Sequence, residues 1–145
     1  MVEMVTPRGG GRGEHVDVIV HGLYLDDAQQ IVFHGPGIRC VAIHGPVAIG
    51  PDAGLAHGGR MEKGLKATLE IAPDCPLGEH VLRVRTRHFL SEHATFWVGP
   101  FPSVAESETQ RGSNDTPGNA QLLPSPATVN GRFLPGDDAD VDCFA

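Results

Sequence analysis

Oxygen-bearing side chains crowd the last third of this sequence: Glu106, Glu108, Asn114 and Asp115, then Asp137, Asp138, Asp140 and Asp142. Carboxylates and amide oxygens in such a run suit the binding of Ca2+, which takes about six to eight oxygen ligands from loops free to wrap around it. Glu106, Glu108, Asn114, Asp115 and Asp140 form the candidate Ca2+ set. The plainer reading, a solvated acidic linker followed by a surface turn, is preferred. The run Asp138 to Asp142 is no EF-hand, because it lacks the central glycine and distal glutamate of that loop.

The other reactive side chains are scattered. His15, His21, His34, His44, His57, His80, His88 and His93 include no HxH or HExxH pair. They read as surface groups that gain charge as pH falls through about 6–7. His15 and His21 lie about 20 Å apart at the rise of a strand, too far to share an ion. Cys40, Cys75 and Cys143 show no zinc spacing. A disulfide such as Cys40–Cys75 is an option only in an oxidising compartment, and three free thiols are preferred. Ser91 and Ser103 lack a G-x-S-x-G elbow, and Cys75 has only His80 nearby to activate it. The glycines of 9–13 are no phosphate loop, since no strand precedes them and no helix follows. Nothing here assembles a nucleophile, a base and an orienting group, so the chain is expected not to be an enzyme. Trp97 is a contact residue if exposed, or a core residue if the fold covers it.

Short strands must position these groups. Val16, Val18 and Val20 alternate with Asp17, Ile19 and His21, and further strands read at 30–34 and 38–43. From Leu65 to Val98 three more follow: Ala67, Leu69 and Ile71 alternate with polar neighbours, Leu82 and Val84 with Arg83 and Arg85, and Ala94, Phe96 and Val98 with Thr95 and Trp97. That period of two marks a strand with one face buried. Pro73-Asp74-Cys75-Pro76-Leu77-Gly78 is turn chemistry. Residues 1–14 read as a loose lead-in, and 45–63 as a long loop with a short edge strand near 47–49. Strands at 128–133 and 140–144 begin a further unit, too short to bury a core of its own. Nineteen glycines and twelve prolines, with no long helical periodicity, fit short strands and turns. The expected fold is all-β: an immunoglobulin-like β-sandwich at 1–100, an acidic linker at 101–119, and an incomplete second β-unit at 120–145.

Net charge is −7, with nine Lys/Arg against eleven Asp/Glu in residues 1–100 and two against seven thereafter. An acidic tail argues against nucleic acid, which needs a basic patch. Arg83, Arg85 and Arg87 form a small basic stripe, read first as a solvated strand face. No apolar run approaches the roughly 20 residues of a membrane span, and Met1 to His15 has no apolar core of a secretory signal.

Pro7 to Gly13, with the strand Val16 to Gly22 leading to Leu25, resembles the opening of IPT/TIG-type immunoglobulin-like domains. The Ile71 to Gly78 turn is similar to that family's connection into its last strands. From Glu106 onward, Glu106-Ser107-Glu108, Asn114-Asp115-Thr116, Ala120-Gln121, Val129-Asn130-Gly131 and Asp140-Val141-Asp142-Cys143-Phe144 resemble the first half of a bacterial pre-peptidase C-terminal (PPC) domain. The five residues between Glu108 and Asn114 exceed the usual spacing of that family. The resemblances imply a piece of an exported or cell-surface bacterial protein, with neighbouring domains, protein or polysaccharide as partners. The role they imply is a non-catalytic spacer or binding module. The alternative they imply is a calcium-binding accessory domain, using the Glu/Asn/Asp run, that positions a neighbouring hydrolase such as a peptidase.

Overall fold

The computed structural model of the chain describes residues 1–49, 63–106, 116–131 and 142–144. The fold is all-β, built on two four-stranded sheets. The first sheet uses β1 (Val2–Thr6), β3 (His15–Gly22), β6 (Lys63–Ile71) and β5 (Ile38–Ala48), adjacent in that order. The second uses β2 (Gly9–Gly11), β8 (Ala94–Gly99), β7 (Gly78–Thr86) and β4 (Ala28–Phe33). Alternation decides which face is buried. Val16, Val18 and Val20 on β3 and Leu65, Ala67, Leu69 and Ile71 on β6 face Leu82, Val84, Phe96 and Val98 from β7 and β8. Phe96, Leu69 and Leu82 have no exposed surface. Burying each such side chain is worth about 1.5–3 kcal/mol, which drives the two sheets together.

The lead-in is not loose. Val2 and Val5 are buried on β1, and after Thr6-Pro7 the chain crosses to the second sheet, where β2 runs parallel to β8. The glycines permit that close approach. A Cβ on Gly10 would lie 2.7 Å from both Ile71 Cδ1 and Val16 Cγ2, inside the core. Glycine here is a fitted residue rather than a flexible filler. Composition hid this, because three successive glycines resemble a linker in the absence of a partner strand.

Beyond residue 100 the expected linker contains β9 (Ser103–Ala105), and a single 3-10 turn spans Pro117–Asn119. The tail strands are β10 (Gln121–Leu123), β11 (Thr128–Asn130) and β12 (Asp142–Phe144). They pair in parallel, β11 with β9 and β10 with β12. The expected edge strand near 47–49 is the end of the long β5. The strand expected at 128–133 is described only as β11, and that at 140–144 only as β12.

Candidate functional site

The outer face of the second sheet offers the clearest surface for contact. Trp97, between the buried Phe96 and Val98, points outward and is 54% exposed. Its cross-strand partner on β7 is Glu79, and on its other side lies Gly9, which is buried. Thr95 and Val81 form the next pair along the face. Further along β7 come Arg83, opposite Val32, and Arg85, opposite Gln30, with Leu82, Val84 and Thr86 turned inward. Arg83 Nη1 donates to the Ser91 carbonyl at 3.3 Å, and its Nε is buried without a hydrogen-bond partner. Alternation assigned Trp97 to the side opposite Phe96, and the open outer face of the second sheet leaves it exposed there.

The outer face of the first sheet is a polar ladder. Thr68 Oγ1 donates to Asp17 at 2.6 Å, His44 Nε2 lies 2.8 Å from the same hydroxyl, and Lys66 Nζ is 3.3 Å from Asp17. The Thr68 hydrogen bond, then Lys66, holds the Asp17 carboxyl below the usual range. Arg39 pairs with Glu70 on the same face. An open concavity of about 520 Å³ lies between this face and the β9–β11 pair, lined by Thr6, Pro7, Asp17, Ile19, Lys66 and Asn130. Its two charges, Asp17 and Lys66, already satisfy each other.

The groups able to do covalent chemistry are engaged in holding the fold. Cys75 is fully buried, and its Sγ lies 3.7 Å from His80 Nε2. That nitrogen is 2.7 Å from the Pro76 carbonyl oxygen, which can only accept. Nε2 therefore carries the proton and cannot receive one from the thiol, so the pair is not a nucleophile and its base. Burial pushes the Cys75 thiol up, partly offset by the Arg12 guanidinium, whose Nε donates to the Cys75 carbonyl at 2.6 Å. Ser91 is buried, donating to the Glu92 carbonyl and accepting from the Val84 N–H, and so fixes the β7–β8 connection. Cys40, Cys75 and Cys143 are all free, so no Cys40–Cys75 disulfide forms.

Ser103 serves another junction. The Glu14 carboxylate accepts from the Gly11 N–H at 2.6 Å, from the Ser103 hydroxyl at 2.8 Å and from the Ser103 N–H at 3.1 Å. This clasp ties β9 to the lead-in across 89 positions of sequence. Glu14 was not among the expected site residues; only a turn-forming neighbour, Gly13 at φ +78, marked its place.

Two histidines expected at the surface are buried. His21 and His80 are 3% and 7% exposed, because β1 lies beside His21 and the Pro73–Gly78 turn folds over His80. His57 lies outside the described residues. Of the candidate Ca2+ set, Glu106 alone is described; Glu108, Asn114, Asp115 and Asp140 lie outside the described residues. The Glu106 N–H donates to the Asn130 carbonyl at 3.0 Å, and its carboxylate lies against Gly131. Among the described residues, no three His, Cys, Asp or Glu side chains cluster as metal ligands. No helix among them is long and apolar enough to cross a membrane.

Neither any protein-family model nor any curated protein matches the sequence. Among solved structures, the chain is similar to SGBP-B of the Bacteroides ovatus mixed-linkage glucan utilization locus, solved in complex with a mixed-linkage heptasaccharide. The match has 15% identity and a TM-score of 0.41, and covers 81% of this chain and 23% of that one. A likeness this slight carries no conclusion about ligand.

Proposed function

We propose that this chain is a non-catalytic binding module, and a spacer between neighbouring domains, of an exported or cell-surface multidomain protein. The observation that supports it is Trp97, exposed on the outer face of the second sheet with the Glu79 carboxylate opposite it and the Thr95 hydroxyl two positions along the strand. An exposed indole beside hydrogen-bonding groups suits a ligand with an apolar ring face and a polar rim, which is the chemistry of a sugar. The spacer role draws on the Glu14–Ser103 clasp, which fixes how the chain leaves the sandwich. The IPT/TIG and PPC resemblances point the same way, towards a non-catalytic appendage.

The test is affinity electrophoresis of the whole chain through gels holding different soluble polysaccharides, beside Trp97→Ala. Retardation that Trp97→Ala removes supports the module and its face. Retardation unchanged in that variant keeps the module and discards the face. The second reading, a calcium-binding accessory to a hydrolase, draws on Glu106 standing at the end of β9, hydrogen-bonded to β11. It requires that Ca2+ stabilise the chain.

A further inference from the structure

We propose that the outer face of the second sheet binds an anionic polysaccharide, with a sugar ring on Trp97 and carboxylates on Arg83 and Arg85. This rests on the binding-module reading above and names its ligand. The first point is charge. The chain is net −7, which opposes a polyanion at long range, so the contact must be local: among the described residues the other strand cations are already paired, Arg39 with Glu70, Lys66 with Asp17 and Lys63 with Asp26. Among the described residues no ion pair engages Arg83 or Arg85, and they stand on one strand face. Arg85, exposed, presents an open guanidinium fork shaped for a carboxylate, while Arg83, whose Nη1 already donates to the Ser91 carbonyl and whose Nε is buried, adds its remaining N–H groups and its charge.

The second point is spacing. Arg83 and Arg85 are two positions apart, about 7 Å at the strand rise, and Glu79 to Arg85 spans about 20 Å. A track of that length has the aromatic at one end and the cations at the other, which fits an extended chain of rings bearing carboxylates. Glu79 and Thr95, beside Trp97, suit the hydroxyls of the ring stacked there, with that ring's own carboxylate turned away from Glu79.

The experiment is calorimetric titration of the whole chain with polygalacturonate, with a neutral mixed-linkage β-glucan and with poly-glutamate, at about 0.1 and 1 M salt, where the screening length falls from ~10 to ~3 Å. Polygalacturonate is expected to bind best. Trp97→Ala and Arg85→Gln should each weaken it about tenfold, and high salt should weaken it in the unaltered chain. Arg85 is exposed, so its substitution leaves the fold intact, and the salt dependence needs no variant at all. Equal binding of the neutral glucan, unaffected by salt but lost in Trp97→Ala, overturns the anionic ligand while leaving the module standing. Binding of poly-glutamate as tight as polygalacturonate overturns the sugar in favour of charge alone. Binding of none of the three overturns the inference, and the wider polysaccharide gels then judge the module by itself.

Discussion

His21 sits on the first sheet with its Nε2 2.6 Å from Thr6 Oγ1 and its Nδ1 buried without a partner. Burial holds its pKa below the ordinary 6.5, with the nearby Glu3 carboxylate acting the other way. The unfolded chain therefore takes up a proton at higher pH than the folded one. Stability from this site is complete above about 6.5 and is lost as pH falls below it towards the folded value. Urea midpoints between pH 7.5 and 5 should fall in the native sequence, and His21→Gln should flatten that fall; an unchanged slope in the variant contradicts the assignment. Thiol labelling gives a second expectation: Cys143, exposed, should react first, Cys40 more slowly, and Cys75 only on unfolding. Mass spectrometry after brief alkylation reads the order directly. Alternation placed His21 on the outward side with Asp17 and Ile19, which was right about the face and wrong about exposure. Its cover, β1, was hidden because Met1 to Glu14 lacks the period-two pattern of a strand.

The turn at Gly37 and the clasp at Glu14 hold the elements in place. Gly37 adopts φ +95, and a Cβ there would lie 2.6 Å from Cys75 Sγ. Gly37→Ala should cost more than the ~1 kcal/mol of ordinary glycine replacements, because conformation and space both forbid it. Glu14→Ala removes an acceptor from three donors, so stability should fall by about 2–3 kcal/mol. Hydrogen exchange should then speed up at the Ser103 amide while the Leu69 and Leu82 amides stay protected. Loss of protection throughout would mean that β9 is integral to the sandwich core. At this scale β3, β6, β7 and β8 were legible, since each alternates between buried and outward-facing residues and has a glycine or a proline at or near one end. The strands β1, β2 and β9 were not, because a short strand set by a close neighbour leaves no period to read. The site was half legible: the Arg83–Arg85 stripe and the facing of Trp97 follow from alternation, while the openness of their face depends on which sheets stack.

At the scale of the whole molecule, the described residues form a two-sheet sandwich with Trp97 exposed on the outer face of the second sheet. The acidic residues after 100 give the sharpest alternative. The solvated-segment reading predicts no change in melting temperature between millimolar Ca2+ and chelator. A rise reversed by chelator, and lost in Asp115→Ala, would favour ion binding by the set Glu106, Glu108, Asn114, Asp115 and Asp140, since a ligand of the native state stabilises it by mass action. The central claim is that the outer face around Trp97 meets the ligand, and Trp97 is the only tryptophan in the chain. Its fluorescence therefore reports on that face without a label. Titrating polygalacturonate into the native chain should shift the emission to the blue, saturably, with the shift reduced in Arg85→Gln. A ligand that binds by calorimetry while the emission stays unmoved would contradict the account and move the binding site elsewhere on the molecule.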